Sequence, residues 1–401
     1  MREGWEITKL GAISEIFRGG SPRPIKSFIT QEADGVNWIK IGDTEVGGKY
    51  IYSTEEKIRR EGMRSSRYVE PGDFLLSNSM SFGRPYILKT DGCIHDGWLV
   101  IKKYDRALIQ DFLYYLLLSP VVARQFEEGA RGSTVRNLNT DIVSNVVVSY
   151  PVSHIEQQRI VDILDREFAK IDVLKANAEK SLQAAKDLFQ ATLKKELEPK
   201  EGWKTIRMGD YFRITSSKRV FQADWTDKGV PFYRAREIVK LAKYGSVDND
   251  LFITPEMYDT YKAKYGVPKV GDVLITGVGT LGVCFLVENE NPFYFKDGNV
   301  IWLQKEKEIS SRYVIYCYQT NDVKEQVHST QGAVVGTYTI EKANATTIPL
   351  PPTMEIQEEI VSRLDVLNDK CNTLQENYKK TLTLCDDLKQ SLLRKAFNGE
   401  L

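Results

Sequence analysis

The run Gly277-Val278-Gly279-Thr280-Leu281-Gly282 has the Gly-x-Gly-x-x-Gly spacing of loops that wrap a nucleotide phosphate, and Asn291-Pro292-Phe293-Tyr294 follows it. Together they would suit methyl transfer from S-adenosylmethionine to an amino group. The surrounding residues argue against that chemistry. Such a glycine loop follows a strand and opens a helix of a βαβ unit, with an acidic residue about 20 positions on. Here it leads into Val283-Cys284-Phe285-Leu286-Val287, which reads as a strand, and Phe293 stands where an amino-methylating loop needs a second proline. A hairpin turn is the expectation. Gly42 through Lys49 is also glycine-rich, but no Ser or Thr follows its lysine as a phosphate-binding loop requires. The three histidines (His95, His154, His328) are scattered, and the five cysteines contain no Cys-x-x-Cys pair. A nucleophilic triad, a zinc cluster and a disulfide framework are therefore not expected. No metal site and no catalytic centre emerge, and the chain is read as a non-enzyme.

A different chemistry is offered by three regions that mix Arg or Lys with Ser, Thr, Asn and Gly. The first is Arg18-Gly19-Gly20-Ser21-Pro22-Arg23, the second runs from Asn78 to Arg84 with Ser79 and Ser81 between them, and the third runs from Gly129 to Asn137 with Arg131, Ser133, Thr134 and Arg136 between them. Each has a counterpart further along: Lys218 and Arg219, then Thr280 within the glycine run, then Gln331, Thr337 and Tyr338. Glycine allows close backbone approach, hydroxyls hold phosphates, and Arg or Asn makes bidentate contacts to base edges. These are candidate DNA-reading loops; solvated surface loops are the plainer alternative for any one residue.

The counterparts exist because the whole chain is duplicated, at a spacing of roughly 200 residues, far beyond the ~20–50 of a solenoid repeat. Gly4-Trp5 returns as Gly202-Trp203, and Pro71-Gly72-Asp73 as Val270-Gly271-Asp272. Asp96-Gly97 returns as Asp297-Gly298, and Pro151 through Gln157 as Pro351 through Gln357. In each copy the first part is rich in short apolar runs bounded by turn signals, which reads as a mixed α/β domain with short strands. Short helices are expected near 111–118 and 312–319.

Beyond each globular part the periodicity changes to steps of three and four, without internal Gly or Pro. The seam is read as Ile160, Leu164, Ile171, Leu182 and Phe189 in the first copy, and Ile360, Leu364, Leu374, Leu382 and Leu388 in the second. Cys371 and Cys385 fall on the same seam as core residues. Ser153 and Thr353 are placed to cap the two helices, which would each run roughly 65 Å. Two long helices with similar seams pack most economically on each other. Antiparallel packing is the expectation, with parallel packing and homodimeric coils as the alternatives.

The fold class is therefore α+β: two mixed α/β domains separated by two long helices packed as an antiparallel coiled coil, with a pseudo-two-fold internal repeat. The divisions are 1–151, 152–199, 200–351 and 352–401. With 55 basic and 55 acidic residues in 401, the chain has no polyanion-binding signature overall. The first residues hold no signal-peptide core and no stretch approaches 18 apolar residues, so a cytoplasmic, membrane-free protein is expected.

The order globular–helix–globular–helix resembles the DNA specificity subunit of type I restriction–modification systems. The resemblance is carried by Gly-Trp at each domain start and by the Gly-Asp turn in mid-domain. It is carried further by Ile155-Glu156-Gln157-Gln158-Arg159-Ile160-Val161, by Ile356-Gln357-Glu358-Glu359-Ile360-Val361, and by the tail Ala396-Phe397-Asn398-Gly399-Glu400-Leu401. It covers essentially the whole chain. One departure is that Arg136 meets Gly336 in the second copy. The resemblance implies two target-recognition domains held apart by the helices, reading a bipartite asymmetric site on double-stranded DNA. It also implies two modification (methyltransferase) subunits and restriction (endonuclease) subunits as partners, with S-adenosylmethionine, ATP and Mg bound on those partners and no cofactor in this chain. An S-adenosylmethionine-dependent DNA amino-methyltransferase and a structural coiled-coil dimer are the other readings.

Overall fold

The computed structural model describes residues 3–45, 47–78, 82–131, 137–329 and 336–401. They form two units: residues 1–179 with 379–401, and residues 180–378.

In the first unit a short antiparallel ribbon pairs Trp5–Lys9 with Val147–Pro151, so the beginning and end of the globular part close on each other. Between them lie two five-stranded sheets. One has the order Glu15–Arg18, Trp98–Lys102, Phe74–Ser77, Pro85–Leu88, Tyr50–Ile51. The other has the order Ile29–Thr30, Glu56–Ile58, Val36–Ile39, Gly92–Ile94, Arg67–Val69. Strands Phe74–Ser77 and Pro85–Leu88 are buried throughout, the near-continuous apolar pattern of strands covered on both faces. Helices Gln110–Leu118 and Pro120–Gly129 cover the first sheet.

The second unit repeats that frame. Lys204–Arg207 pairs with Thr347–Leu350, and a four-stranded sheet has the order Phe212–Thr215, Val300–Lys305, Val273–Thr276, Cys284–Leu286. Helices Ser311–Tyr318 and Asn321–His328 pack on it. The smaller sheet differs: it has three strands, Phe252–Ile253, Val230–Tyr233 and Tyr294–Phe295, with helices Ala235–Tyr244 and Pro255–Tyr265 beside them.

The mid-domain turns are built alike. Gly72 and Gly271 hold φ of 97° and 94°, a region that side chains disfavour. Next to them Asp73 accepts from the Glu70 N–H at 2.9 Å and Asp272 from the Lys269 N–H at 2.9 Å.

Two 44-residue helices, His154–Leu197 and Met354–Phe397, follow the globular parts. Ser153 Oγ accepts from the Glu156 N–H and Thr353 Oγ from the Ile356 N–H, each at 3.4 Å, as caps. In the first unit Arg159 donates to the Leu401 carbonyl at 2.9 Å, Asp172 pairs with Lys389, and Lys175 meets Asp386 at 2.7 Å. Rising numbers on one helix meet falling numbers on the other, so the pair is antiparallel there. In the second unit Arg363 meets Glu196 at 2.7 Å, and Phe189, Leu193 and Leu197 share a core with Ile360, Leu364 and Cys371. That pair is antiparallel as well.

The seam is narrower than the residue pattern suggested. Ile160, Leu164, Ile171, Phe189, Ile360 and Leu364 are buried, and Leu182 and Leu382 are half-buried. Leu374 and Leu388 are corrected: they are 41% and 48% exposed. Away from the globular parts, burial falls on one position in seven, at Ile171, Ala178 and Ala185 and at Cys371 and Cys385. A stripe that serves only a partner helix needs fewer positions than one that also faces a domain core.

Each helix is keyed to its domain by one glutamine. Gln157 Oε1 accepts from the Ile109 N–H, and its amide donates to the carbonyls of Ala107 and Pro151, all at 2.8 Å. Gln357 Oε1 accepts from the Ser310 N–H at 2.9 Å. Tyr115 donates to Asp165 and Tyr316 to Asp365, about two turns further along each long helix. The repeated junction motif is thus a buried polar lock, because a buried glutamine is tolerated only where its amide is satisfied.

Candidate nucleic-acid interface

The candidate loops of the first unit meet around Asn78 and Asp96. Asn78 donates its backbone N–H to the Gly97 carbonyl at 3.0 Å and its side-chain amide to the Asp96 carbonyl at 2.8 Å, while its own carbonyl accepts from the Leu138 N–H at 2.9 Å. Asp96 in turn gathers the first loop. Ser21 Oγ donates to its carboxylate at 2.8 Å, Arg23 reaches it at 3.4 Å, and Arg18 Nε donates to its carbonyl at 3.3 Å. The Ser21 hydroxyl, more than any nearby charge, holds the Asp96 carboxyl below the usual range. His95, beside it, is buried enough that its imidazole is held below the ordinary histidine value. Gly19 and Gly20 let the first loop run against this turn: a Cβ at Gly19 would lie 2.1 Å from the His95 carbonyl.

The second unit uses the same backbone plan. Gly277 N–H donates to the Asn299 carbonyl at 2.9 Å, and the Tyr338 N–H donates to the Gly277 carbonyl at 3.0 Å. Here no side chain fits where Asn78 stands, since a Cβ at Gly277 would lie 2.7 Å from the Tyr338 carbonyl. Arg219 Nε donates to Asp297 at 2.8 Å, in the manner of Arg23 and Asp96; Arg219 is 65% exposed and Asp297 only 13%. The partly buried carboxylate therefore aims a guanidinium whose larger part is in solvent, leaving a planar fork of the kind that reads guanine.

The glycine run lies between antiparallel strands Val273–Thr276 and Cys284–Leu286, closed by Gly282 N–H to Thr276 O at 2.9 Å. It is a hairpin turn, as expected, and opens no helix. Its last glycine is shared with Gly83 for a steric reason. Both have positive φ, and a Cβ would lie 2.9 Å from Phe126 at Gly83 and 3.1 Å from Val327 at Gly282.

Arg18, Arg23, Arg131, Asn137, Lys218, Arg219 and Thr280 are exposed, and Ser21 and Thr337 half-exposed. Arg84 sits elsewhere: it is half-buried, with its guanidinium 5.7 Å from the Tyr86 ring centroid. It lines a cavity of about 630 Å³ with Lys49, Tyr114 and Lys389. Tyr338 is corrected. It is 2% exposed, and its hydroxyl joins those of Tyr318 and Thr346 at 2.9 and 2.7 Å, so it is core. Docking of its N–H on Gly277 turns the ring inward, which the polar neighbourhood did not reveal. Ser79, Ser81, Ser133, Thr134, Arg136 and Gln331 lie outside the described residues.

Three contributors were missed as site residues from the sequence: the acceptors Asp96 and Asp297, and Arg67, whose Nε donates to the Arg18 carbonyl at 3.1 Å beside the Phe17 ring. The repetition of Asp-Gly in both copies was the available signal for the acceptors. Among the described residues no group of three or more His, Cys, Asp or Glu is placed to hold a metal ion, and no helix is long and apolar enough to cross a membrane.

The sequence profile described as the type I restriction modification DNA specificity domain matches residues 2–184 and again residues 200–384. A putative type I restriction enzyme specificity subunit of Haemophilus influenzae, S.HindORF215P, is 29% identical over 175 residues, 43% of this chain and 42% of its own length. The EcoKI specificity subunit of Escherichia coli K12 is 20% identical over 428 residues, 100% of this chain and 89% of its own length. Among solved structures, a chain from a study of complex assembly and conformational transition of the type I R-M system matches with a TM-score of 0.80 at 18% identity, covering 100% of this chain and 99% of that one. The HsdS subunit from Thermoanaerobacter tengcongensis matches with a TM-score of 0.58 at 19% identity, covering 100% and 98%. At such identity the structures speak for the fold, and the profile, matched twice over most of the sequence, speaks for the family: the chain belongs to the type I restriction modification DNA specificity family and carries two copies of its domain.

Proposed function

We propose that this chain is the DNA-reading and assembly subunit of a type I restriction–modification complex, and that it recognises a bipartite, asymmetric site on duplex DNA. Residues 1–151 and 200–351 act as target-recognition domains, and residues 152–199 and 352–401 as the spacer between them. The observation that carries the reading is the shared backbone hub at Asn78 and Gly277, which brings three loops to one end of each domain while the exposed residues on those loops differ. Common frame and different readers suit two unlike half-sites. Arg18, Ser21, Arg23, Arg131 and Asn137 contact one half; Lys218, Arg219, Thr280 and Thr337 contact the other. Rigid helices set the separation of half-sites, and two modest readers on one support gain affinity through effective concentration.

The subunit has no catalytic role of its own. Two methyltransferase subunits and the endonuclease subunits supply the chemistry in the cytoplasm, and S-adenosylmethionine, ATP and Mg belong to them. The balanced charge of 55 basic and 55 acidic residues agrees with leaving much of the phosphate binding to those partners.

The test is co-expression with the partner methyltransferase, followed by genome-wide mapping of N6-methyladenine by long-read sequencing. A split motif present only with this chain is expected. Methylation that is unsplit, or the same without this chain, would overturn the reading.

A further inference from the structure

We infer that the C-terminal end of the helix Pro255–Tyr265 is a DNA-backbone contact peculiar to the second domain, with Tyr265, Lys262 and Lys264 engaging one strand beside Arg219. The inference rests on the DNA-reading function proposed above.

The two domains diverge between equivalent points. Trp38-Ile39 lie parallel to Cys93-Ile94 in the first, and Phe232-Tyr233 parallel to Tyr294-Phe295 in the second. From there to the Gly-Asp turn, the first domain's described residues hold short strands and the 3-10 turns Ile41–Asp43 and Arg60–Ser65. The second domain holds two α-helices instead. The latter of these is firmly made. Thr254 caps it by accepting from the Met257 N–H at 3.2 Å, Pro255 opens it, and Gly266, at φ 81°, ends it.

Its end is fixed to the candidate loop rather than merely near it. Tyr261 donates its hydroxyl to the Arg219 carbonyl at 3.1 Å, and its ring lies 5.4 Å from that of Tyr294, tilted by 60°. Tyr265 lies edge-on to Tyr261 at 5.6 Å, and the Lys218 ammonium lies 5.5 Å from the Tyr265 centroid. Tyr265 is nevertheless 50% exposed, and Lys218, Arg219, Lys262 and Lys264 are all exposed. The result is a rigid, basic, aromatic-edged ledge continuous with an arginine already aimed outward by Asp297.

Lysines in a last turn also suit the helix dipole, which accounts for their sign but not for an exposed tyrosine among them. A phosphate approaching end-on would meet the helix carbonyls, so the strand is engaged laterally, through the side chains. Hydroxyl and ammonium groups of this kind position a duplex without reading its sequence.

The experiment uses the complex reconstituted with its methyltransferase subunits and a duplex carrying the motif mapped for the unaltered chain. The double variant Lys262→Gln, Lys264→Gln is expected to lower the slope of log affinity against log salt by about 2, at roughly 0.9 per phosphate contact. Tyr265→Phe is expected to weaken binding about two- to tenfold through loss of one hydroxyl hydrogen bond. The methylated motif stays the same in both. All three side chains are exposed or half-exposed, so the melting temperature should not move, and it serves as the control for folding. Unaltered slope and affinity in both variants would overturn the assignment. A complex with the unaltered chain that yields no split motif would instead overturn the function on which the assignment rests.

Discussion

The two domains agree where their motifs repeat and differ in the small sheet and the loop hub between those motifs. Gln157 and Gln357, Asp73 and Asp272, and the Tyr115–Asp165 and Tyr316–Asp365 pairs perform the same structural tasks in both. By contrast, the sheet that carries Val36–Ile39 has five strands in the first domain, and its counterpart with Val230–Tyr233 has three in the second, where two helices replace short turns. The loop hub carries an amide side chain at Asn78 and none at Gly277. Residues repeated within such a chain therefore mark its frame, and the reading proposed above assigns the DNA contacts to residues that do not repeat.

The largest test of this comparison exchanges residues 1–151 for the corresponding part of another family member. One half of the methylated motif should change completely and the other remain, as read by long-read methylation mapping; change in both halves would break the division. The next concerns the frame. Gln157→Ala should cost about 3 kcal/mol in urea unfolding, since two carbonyls and an N–H lose their buried partner, and Gln357→Ala about half as much. Equal losses would show that the two locks are equivalent despite their different bonding.

A third test addresses a feature of the second domain alone. Burial would raise the Glu237 carboxyl, but hydrogen bonds from Arg234 and Arg236 outweigh it and bring the pKa to about 2. A folded value below the ordinary 4.5 means that stabilisation is complete above pH 4.5 and is lost as pH falls toward about 2. Amide exchange in helix Ala235–Tyr244 should therefore speed up across that window, and Glu237→Gln should remove the dependence. The smallest effect is expected at an exposed seam position, against a buried one on the other helix. Leu388→Ser should stay within about 0.5 kcal/mol because the side chain is 48% exposed. Leu164→Ala, at a fully buried position, should cost about 2–5 kcal/mol by thermal melting.

Much of this was legible in residue order. The change of period at Pro151 and Pro351, the caps Ser153 and Thr353, and the short helices near 111–118 and 312–319 follow from local backbone and hydrogen-bonding preferences. The hairpin nature of the glycine run followed from the strand after it. Leu374 and Leu388 were misjudged because a three-four pattern assigns every leucine to the seam, whereas the partner helix covers only one position in seven there. Tyr338 was misjudged because its inward turn depends on Gly277, some sixty positions earlier in the chain. The tyrosines of helix Pro255–Tyr265 were not singled out because their contacts with Arg219 and Tyr294 are made only in the folded domain.

By itself the sequence determined the duplication, the alternation of globular parts with long helices, and the turns and caps, since these depend on residues a few positions apart. Only the tertiary structure decided which polar residues face solvent, which carboxylate orients which arginine, and which leucines the helix partner covers. Those outcomes depend on groups far apart in the chain, such as Ser21 with Asp96 and Arg219 with Asp297, whose meeting costs chain entropy that local preference cannot repay and the packed core does.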